Sequence, residues 1–241
     1  MKITTPHYCL IGEFGIKPIE FHFYKAALRY WIKVISSDEG NLIKKVYNQI
    51  YENIDDKSVS KTWCSQIKNL LYDLKLEELW INQSKKHEKN YKAIVDIRLI
   101  EHFREEWINS AKHSQKGLNY LELSRFDCKL KTYLNFTVDD KSVIEMLKIR
   151  TGNHSLSVEV DRYCNRKAYE ECICKSCDGR RIEDLFHVYC ECTKFSELRK
   201  QTLDFLKESS KSDFFAKMNC LTKKQMQMMT KFMKVVKETR K

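Results

Sequence analysis

Apolar residues recur at helical spacing along most of the chain. Ile43, Val46, Tyr47, Ile50 and Ile54 fall on one stripe, Trp63, Ile67, Leu70, Leu71 and Leu74 on a second, and Val95, Leu99, Phe103 and Trp107 step by four along a third. An earlier segment carries Phe23, Ala27, Tyr30, Trp31 and Val34. The pattern therefore predicts at least four helices between about Glu20 and His113, packed as a bundle with short connections. Between Gly117 and Phe136 neither the helical nor the strand period dominates, which predicts a short helix and irregular chain. A helix capped by Asp139 or Asp140 runs on through Arg150, a cysteine-rich segment follows, and Phe195, Leu198, Thr202 and Phe205 mark another amphipathic helix. In the final stretch Met226, Met229, Met233 and Val236 keep helical spacing among lysines, an amphipathic basic helix suited to a protein core, a nucleic acid or an acidic membrane surface.

Composition sharpens this picture. Two prolines, the last at Pro18, and six glycines in 241 residues disfavour a turn-rich β sandwich or barrel, so the fold class is mostly α. With 42% apolar residues the chain can bury at least one sizeable core. Lys and Arg number 44 against 33 Asp and Glu, a net charge of +11 that attracts polyanions. The segment from Leu221 to Lys241 holds seven Lys or Arg and one Glu, so more than half of that excess lies there, with Lys223, Lys224, Lys231 and Lys234 as candidate phosphate contacts. No window approaches the roughly 20 consecutive apolar residues of a membrane span. The opening MKITTPHYCLIGEFGIK lacks the apolar run of a signal peptide, so the expected setting is intracellular and reducing, in nucleus or cytoplasm, with the ten cysteines as thiols or metal ligands.

Chemistry concentrates in CKSCDGRRIEDLFHVYCEC, where Cys174 and Cys177 are followed at nine and four intervening residues by His187 and Cys192. A two-residue gap lets both thiolates of a tight turn face one ion, Asp178 and Gly179 return the chain, and His187 with Cys192 can close a tetrahedron. Zn²⁺ suits a mixed thiolate and imidazole set. Four protein ligands without carboxylate or water make a closed, structural site rather than a hydrolytic one. Cys172 and Cys190 flank the set, but Cys172 would form a cramped chelate with Cys174 and only two residues separate Cys190 from His187; both read as small core residues. His154 reads as a surface or satisfied core imidazole. The expected organisation is a helical bundle over residues 1–136, a zinc-stapled subdomain over 137–210 and a basic helical tail over 211–241.

These pieces, in order, resemble the segment downstream of the reverse transcriptase domain in non-LTR retrotransposon polyproteins, which ends in the reverse-transcriptase zinc-binding domain. GEFGIKP resembles the G-E-x-G sequence that follows the polymerase thumb; RYWIKVI, KTWCSQIKNLL, ELWINQ and RLIEHFREEW resemble the Trp-anchored helices after it. LKIRTGNHSLSVEVDRYCNR, the Cys/His set and the closing CTKFSELR resemble the zinc-binding segment itself, so that the likeness spans roughly residues 10 to 205. It implies metal ligation by Cys174, Cys177, His187 and Cys192. The chain departs from the family where a basic residue usually precedes the first ligand pair, having Glu170, Glu171 and Cys172, and where Gly-Arg is usual, having Asp161 and Arg162.

Catalytic signatures are missing from the sequence. A polymerase needs an aromatic-x-Asp-Asp turn and a third carboxylate to hold two metal ions; TVDD, ending at Asp140, has Thr137 in place of the aromatic and reads as a helix cap. The expectation is a non-catalytic protein of retroelement origin that binds RNA or DNA mainly through phosphates. Arg150, Arg162, Arg166, Lys167, Lys175, Arg180, Arg181 and Lys194 surround the ligands, and Tyr163, Tyr169 and Tyr189 offer stacking faces. Residues 151–200 nevertheless hold nine basic and nine acidic residues, which suits an alternative: a zinc-stabilised interaction or scaffold module whose surface meets a reverse transcriptase domain or another protein.

Overall fold

The computed structural model describes residues 5–54, 62–83, 88–124, 129–136, 140–178 and 180–240, without the side chains of residues 88, 89 and 140. Among these the chain is mostly helical, with one antiparallel bridge, Ile173 to Ile182, outside the helices. It forms two compact units: Lys17–Trp107, and a second assembled from Met1–Ile16 with Ile108–Lys241. The packing thus divides the chain elsewhere than the sequence-read boundaries at 136 and 210.

The unit of residues 17–107 contains α2 (Ile19–Ile35), α3 (Leu42–Glu52), α4 (Trp63–Asp73), α5 (Glu77–Ile81) and most of α6 (Glu88–Lys112); α1 (His7–Phe14) belongs to the other unit. Asn41 and Thr62 cap α3 and α4 by accepting from the backbone N–H groups of Ile43 and Ser65. The stripe Val95, Leu99, Phe103 and Trp107 is buried as the spacing predicts. On α2 the buried row is Phe21, Leu28, Trp31, Ile32 and Ile35, whereas Phe23 and Tyr30 are 65% and 47% exposed. α3 is rotated too: Ile43 and Val46 face outward, and Lys44 lies inside with its Nζ donating to the Ile35 carbonyl. α2 is apolar around most of its circumference, so period alone does not choose the inward face. Trp31 Nε1 donates to the Tyr47 hydroxyl, which donates in turn to Gln83, so these two buried aromatic side chains have their polar groups satisfied.

The other unit holds α1, the end of α6, α7 (Gln115–Leu123), α8 (Asp140–Arg150), α9 (Ser157–Cys164), the cysteine-rich segment, α10 (Ser196–Thr202), α11 (Lys211–Asn219) and α12 (Lys223–Thr239). α10 stops earlier than its apolar spacing suggests, and Asp204–Leu206 form a separate 3₁₀ turn. Of the two caps expected, Asp139 lies outside the described residues, and Asp140 is the first residue of α8 rather than its cap. α12 begins at a capping box in which Thr222 and Gln225 satisfy each other's backbone N–H groups. Its Met226, Met229, Phe232, Met233 and Val236 are buried in one core with Met146, Tyr189, Phe195 and Phe214. The basic tail is therefore a core helix of this unit, packed on α8 and α10.

The G-E-x-G segment has structural work in the same unit. Gly15 ends α1 in the left-handed conformation at φ +63°, and a Cβ there would lie 2.4 Å from the Lys129 backbone carbon, so only glycine fits. Glu13 is fully buried; its carboxylate accepts from Tyr120 and Tyr133 hydroxyls at 2.9 and 2.7 Å and from Arg150 Nε at 2.8 Å. No helix of the described residues is long and apolar enough to cross a membrane.

Candidate metal centre

A short hairpin presents the first two ligands. Cys174 N–H donates to the Arg181 carbonyl and Glu183 N–H to the Cys172 carbonyl, both at 2.8 Å, flanking the Ile173 to Ile182 bridge. Between these strands-in-miniature the chain turns through Cys177, and Arg180 takes φ +44° to complete the reversal. Asp184 then starts a helical turn, its Oδ1 accepting from His187 N–H at 2.7 Å while its Oδ2 takes the Tyr169 hydroxyl.

From His187 to Glu191 the helix widens to π geometry, with Cys192 N–H bonded to the His187 carbonyl at 2.7 Å. On an α-helix residues five apart diverge by about 140° around the axis. The wider turn, followed by extended backbone at Cys192, brings both side chains to one side, as π turns often do at functional sites.

The result is a four-donor cage. One ligand atom each from Cys174, Cys177, His187 and Cys192 lies within 4.8 Å of every other. Cys174 and Cys192 Sγ are 4.0 Å apart, and Cys177 Sγ lies 3.4 Å from His187 Nε2. A tetrahedral ion with metal–sulfur bonds of about 2.3 Å requires sulfur–sulfur edges near 3.8 Å and slightly shorter sulfur–nitrogen edges. The cluster can therefore hold a metal ion with little movement.

Its surroundings fit that task. Burial pushes the Cys174 thiol up to about 12 and also raises that of Cys192, against backbone N–H groups of Ser176 and Lys194 that point at the sulfurs and favour thiolate. A cation bound here would supply the countercharge that burial withholds and would displace protons. His187 Nδ1 faces Glu191 Oε2 at 3.4 Å, leaving Nε2 for the metal, and Glu191 is itself paired with Arg181 at 3.0 Å. The Cys/His spacing does not point to Glu191; its signal in the sequence is a carboxylate four residues after the candidate ligand His187. Nor does the spacing point to Glu183: buried behind the hairpin, it accepts from Ser157 N–H and Oγ–H and pairs with Arg240, tying the hairpin to α9 and to the end of α12.

The flanking cysteines stay outside the cage, Cys172 buried and Cys190 half-buried, and no disulfide links the described cysteines. His154 is a buried imidazole whose Nδ1 accepts from Leu156 N–H.

The basic residues separate sharply. Lys175 and Arg181 have side chains 74% and 63% exposed, and Arg180 and Lys194 are also exposed, next in sequence to a cluster in which Cys174, His187 and Cys192 are buried and Cys177 half-buried. Arg162 is half-buried against Val158 and Glu159. Lys223, Lys224, Lys231 and Lys234 lie on the exposed side of α12. Arg150 is a correction to the expected phosphate contacts: it is 2% exposed, and its guanidinium is taken up by Glu13, the Met218 carbonyl and Asn219. Among the tyrosines Tyr163 is 76% exposed, but Tyr189 is buried with its hydroxyl on the Met229 carbonyl and offers no stacking face. Comparison of the chain with protein-family models, curated proteins and solved structures finds no match to any of them.

Proposed function

We propose that the chain is a non-catalytic, zinc-binding protein of retroelement origin that holds RNA or DNA mainly through phosphate contacts. The four-donor cage carries this reading. Three thiols and one imidazole suit Zn²⁺, and a site whose four tetrahedral positions are filled by protein donors staples structure rather than activating a nucleophile. Exposed Lys175, Arg180, Arg181 and Lys194, close in sequence to the four donors, put positive charge where a backbone phosphate can approach. Retroelement origin rests on the resemblance of GEFGIKP and of the segment from LKIRTG through CTKFSELR; the structure joins these distant stretches through the Glu13 and Arg150 ion pair. Elemental analysis and single-strand binding test the two halves separately. One zinc per chain under reducing conditions is expected, and its absence overturns the metal assignment. A chain that binds no oligonucleotide at low salt, where charge attraction is strongest, overturns the nucleic-acid half.

A second reading, a scaffold that docks a reverse transcriptase domain or another protein, is favoured by the unit of residues 17–107. There Ile19, Phe23, Leu42 and Ile97 are each more than half exposed. Scattered apolar residues are ordinary on a protein surface, so this reading ranks second.

A further inference from the structure

α8 and α12 pack side by side and leave a groove of about 580 Å³ along their outer edge. Lysines from both helices line it: Lys141 and Lys148, two turns apart on α8, face Lys231, Lys234 and Lys237 on α12. Glu145 lies between the walls and accepts from Lys148 Nζ at 2.5 Å and Lys237 Nζ at 2.8 Å, which fixes the inner pair. Lys141, Lys231 and Lys234 are exposed and have no acidic partner among the described residues. Five ammonium groups around one carboxylate repel one another, and a polyanion relieves that repulsion.

The other face of α12 decides which polyanion. An amphipathic helix binds an acidic bilayer by burying its apolar side among the acyl chains. Here Met226, Met229, Phe232, Met233 and Val236 are already committed to the core, so the apolar row of α12 cannot insert into a bilayer; Ile144 in the groove and Val235 beside it are the large apolar side chains left exposed there, among exposed lysines. The lysine rows run for about 10 Å at 1.5 Å per residue, and phosphates of a stacked strand recur about every 3.4 Å. We infer that this groove holds the phosphodiester backbone of a single strand of RNA or DNA, about three phosphates at a time. The inference rests on the nucleic-acid reading above and adds the face: α8 with α12, rather than the surface of the metal centre, supplies most of the attraction.

Fluorescence anisotropy of the full chain with labelled oligo(dT) and oligo(U) across a range of salt tests this. Lys141→Gln/Lys231→Gln/Lys234→Gln should weaken binding at low salt by at least about 30-fold and flatten the log–log salt slope by about 2, at about 0.7 per phosphate. Lys175→Gln/Arg180→Gln/Arg181→Gln, beside the metal, should weaken it less than about threefold under the same counterion reasoning. The triple Lys→Arg variant of the groove keeps the charge and should bind like wild type; loss there overturns a charge-based groove. If wild type binds and the Gln variant stays within about threefold of it, the groove is overturned while the nucleic-acid reading stands. If wild type binds no oligonucleotide, both fall, and flotation with phosphatidylserine vesicles in that case identifies a lipid surface instead.

Discussion

Arg150 is a full positive charge placed where water does not reach, and every part of its guanidinium is engaged. Breaking such a pair from one side strands the other charge, so Arg150→Met should destabilise the chain by about 3–5 kcal/mol in denaturant titrations. Glu13→Gln/Arg150→Met should cost clearly less than the two single changes summed, because no unpaired ion remains. His154 shows the opposite economy, a buried imidazole kept neutral. Burial, and then the nearby Lys116, Lys237 and Arg240, lower it from its ordinary value to about 3. In the unfolded chain it takes up a proton near pH 6.5. Its contribution to stability is thus whole above that pH and is lost as pH falls toward 3, by at most about 4 kcal/mol. Unfolding free energies measured between pH 7 and 4 should fall less steeply for His154→Gln than for wild type; equal slopes would show that His154 is not the group responsible.

At the scale of elements, the widened turn at residues 187–191 gives the cysteine-rich segment its shape, and a metal ion bound there would hold that turn closed. Cys177→Ser should abolish stoichiometric zinc and leave residues near 164–205 open to proteolysis, since structural zinc contributes on the order of 10 kcal/mol to folding such small segments. Cys190→Ser, outside the cage, should keep both zinc and protection. Much of this segment is legible in the sequence, because the spacing of Cys174-x2-Cys177 and of the later His187 and Cys192 is one that coordination geometry demands over a few residues, and the structure brings these four donors together. The periods of α4, α6 and α12 are legible for the same local reason. What a helix faces is not local. Ile43 and Val46 lie on a true helical stripe and point outward, while Lys44 turns inward to reach the Ile35 carbonyl, an acceptor on another helix. Arg150 likewise reads as one more surface cation until Glu13, far away in sequence, is brought beside it.

For the whole molecule, the order of the two units along the chain matters more than their sizes. One is continuous, residues 17–107; the other is assembled from the stretches on either side of it. Closing α1 onto α7 and α8 across that roughly 90-residue insertion costs about 4 kcal/mol of chain entropy before any contact there compensates, and contacts distant in sequence form slowly. All four tryptophans, Trp31, Trp63, Trp80 and Trp107, belong to the continuous unit, whereas the four candidate metal ligands belong to the divided one. The chain thus carries two independent clocks. When it refolds from denaturant with Co²⁺ in place of zinc, indole fluorescence should recover first and the visible absorption of thiolate-bound cobalt later. Simultaneous recovery would mean that the two units fold as one. If the lag appears, every newly made chain passes through an interval in which its tryptophan-rich part is folded while the thiols of the candidate centre are still unligated, and in that interval those cysteines would be open to oxidation.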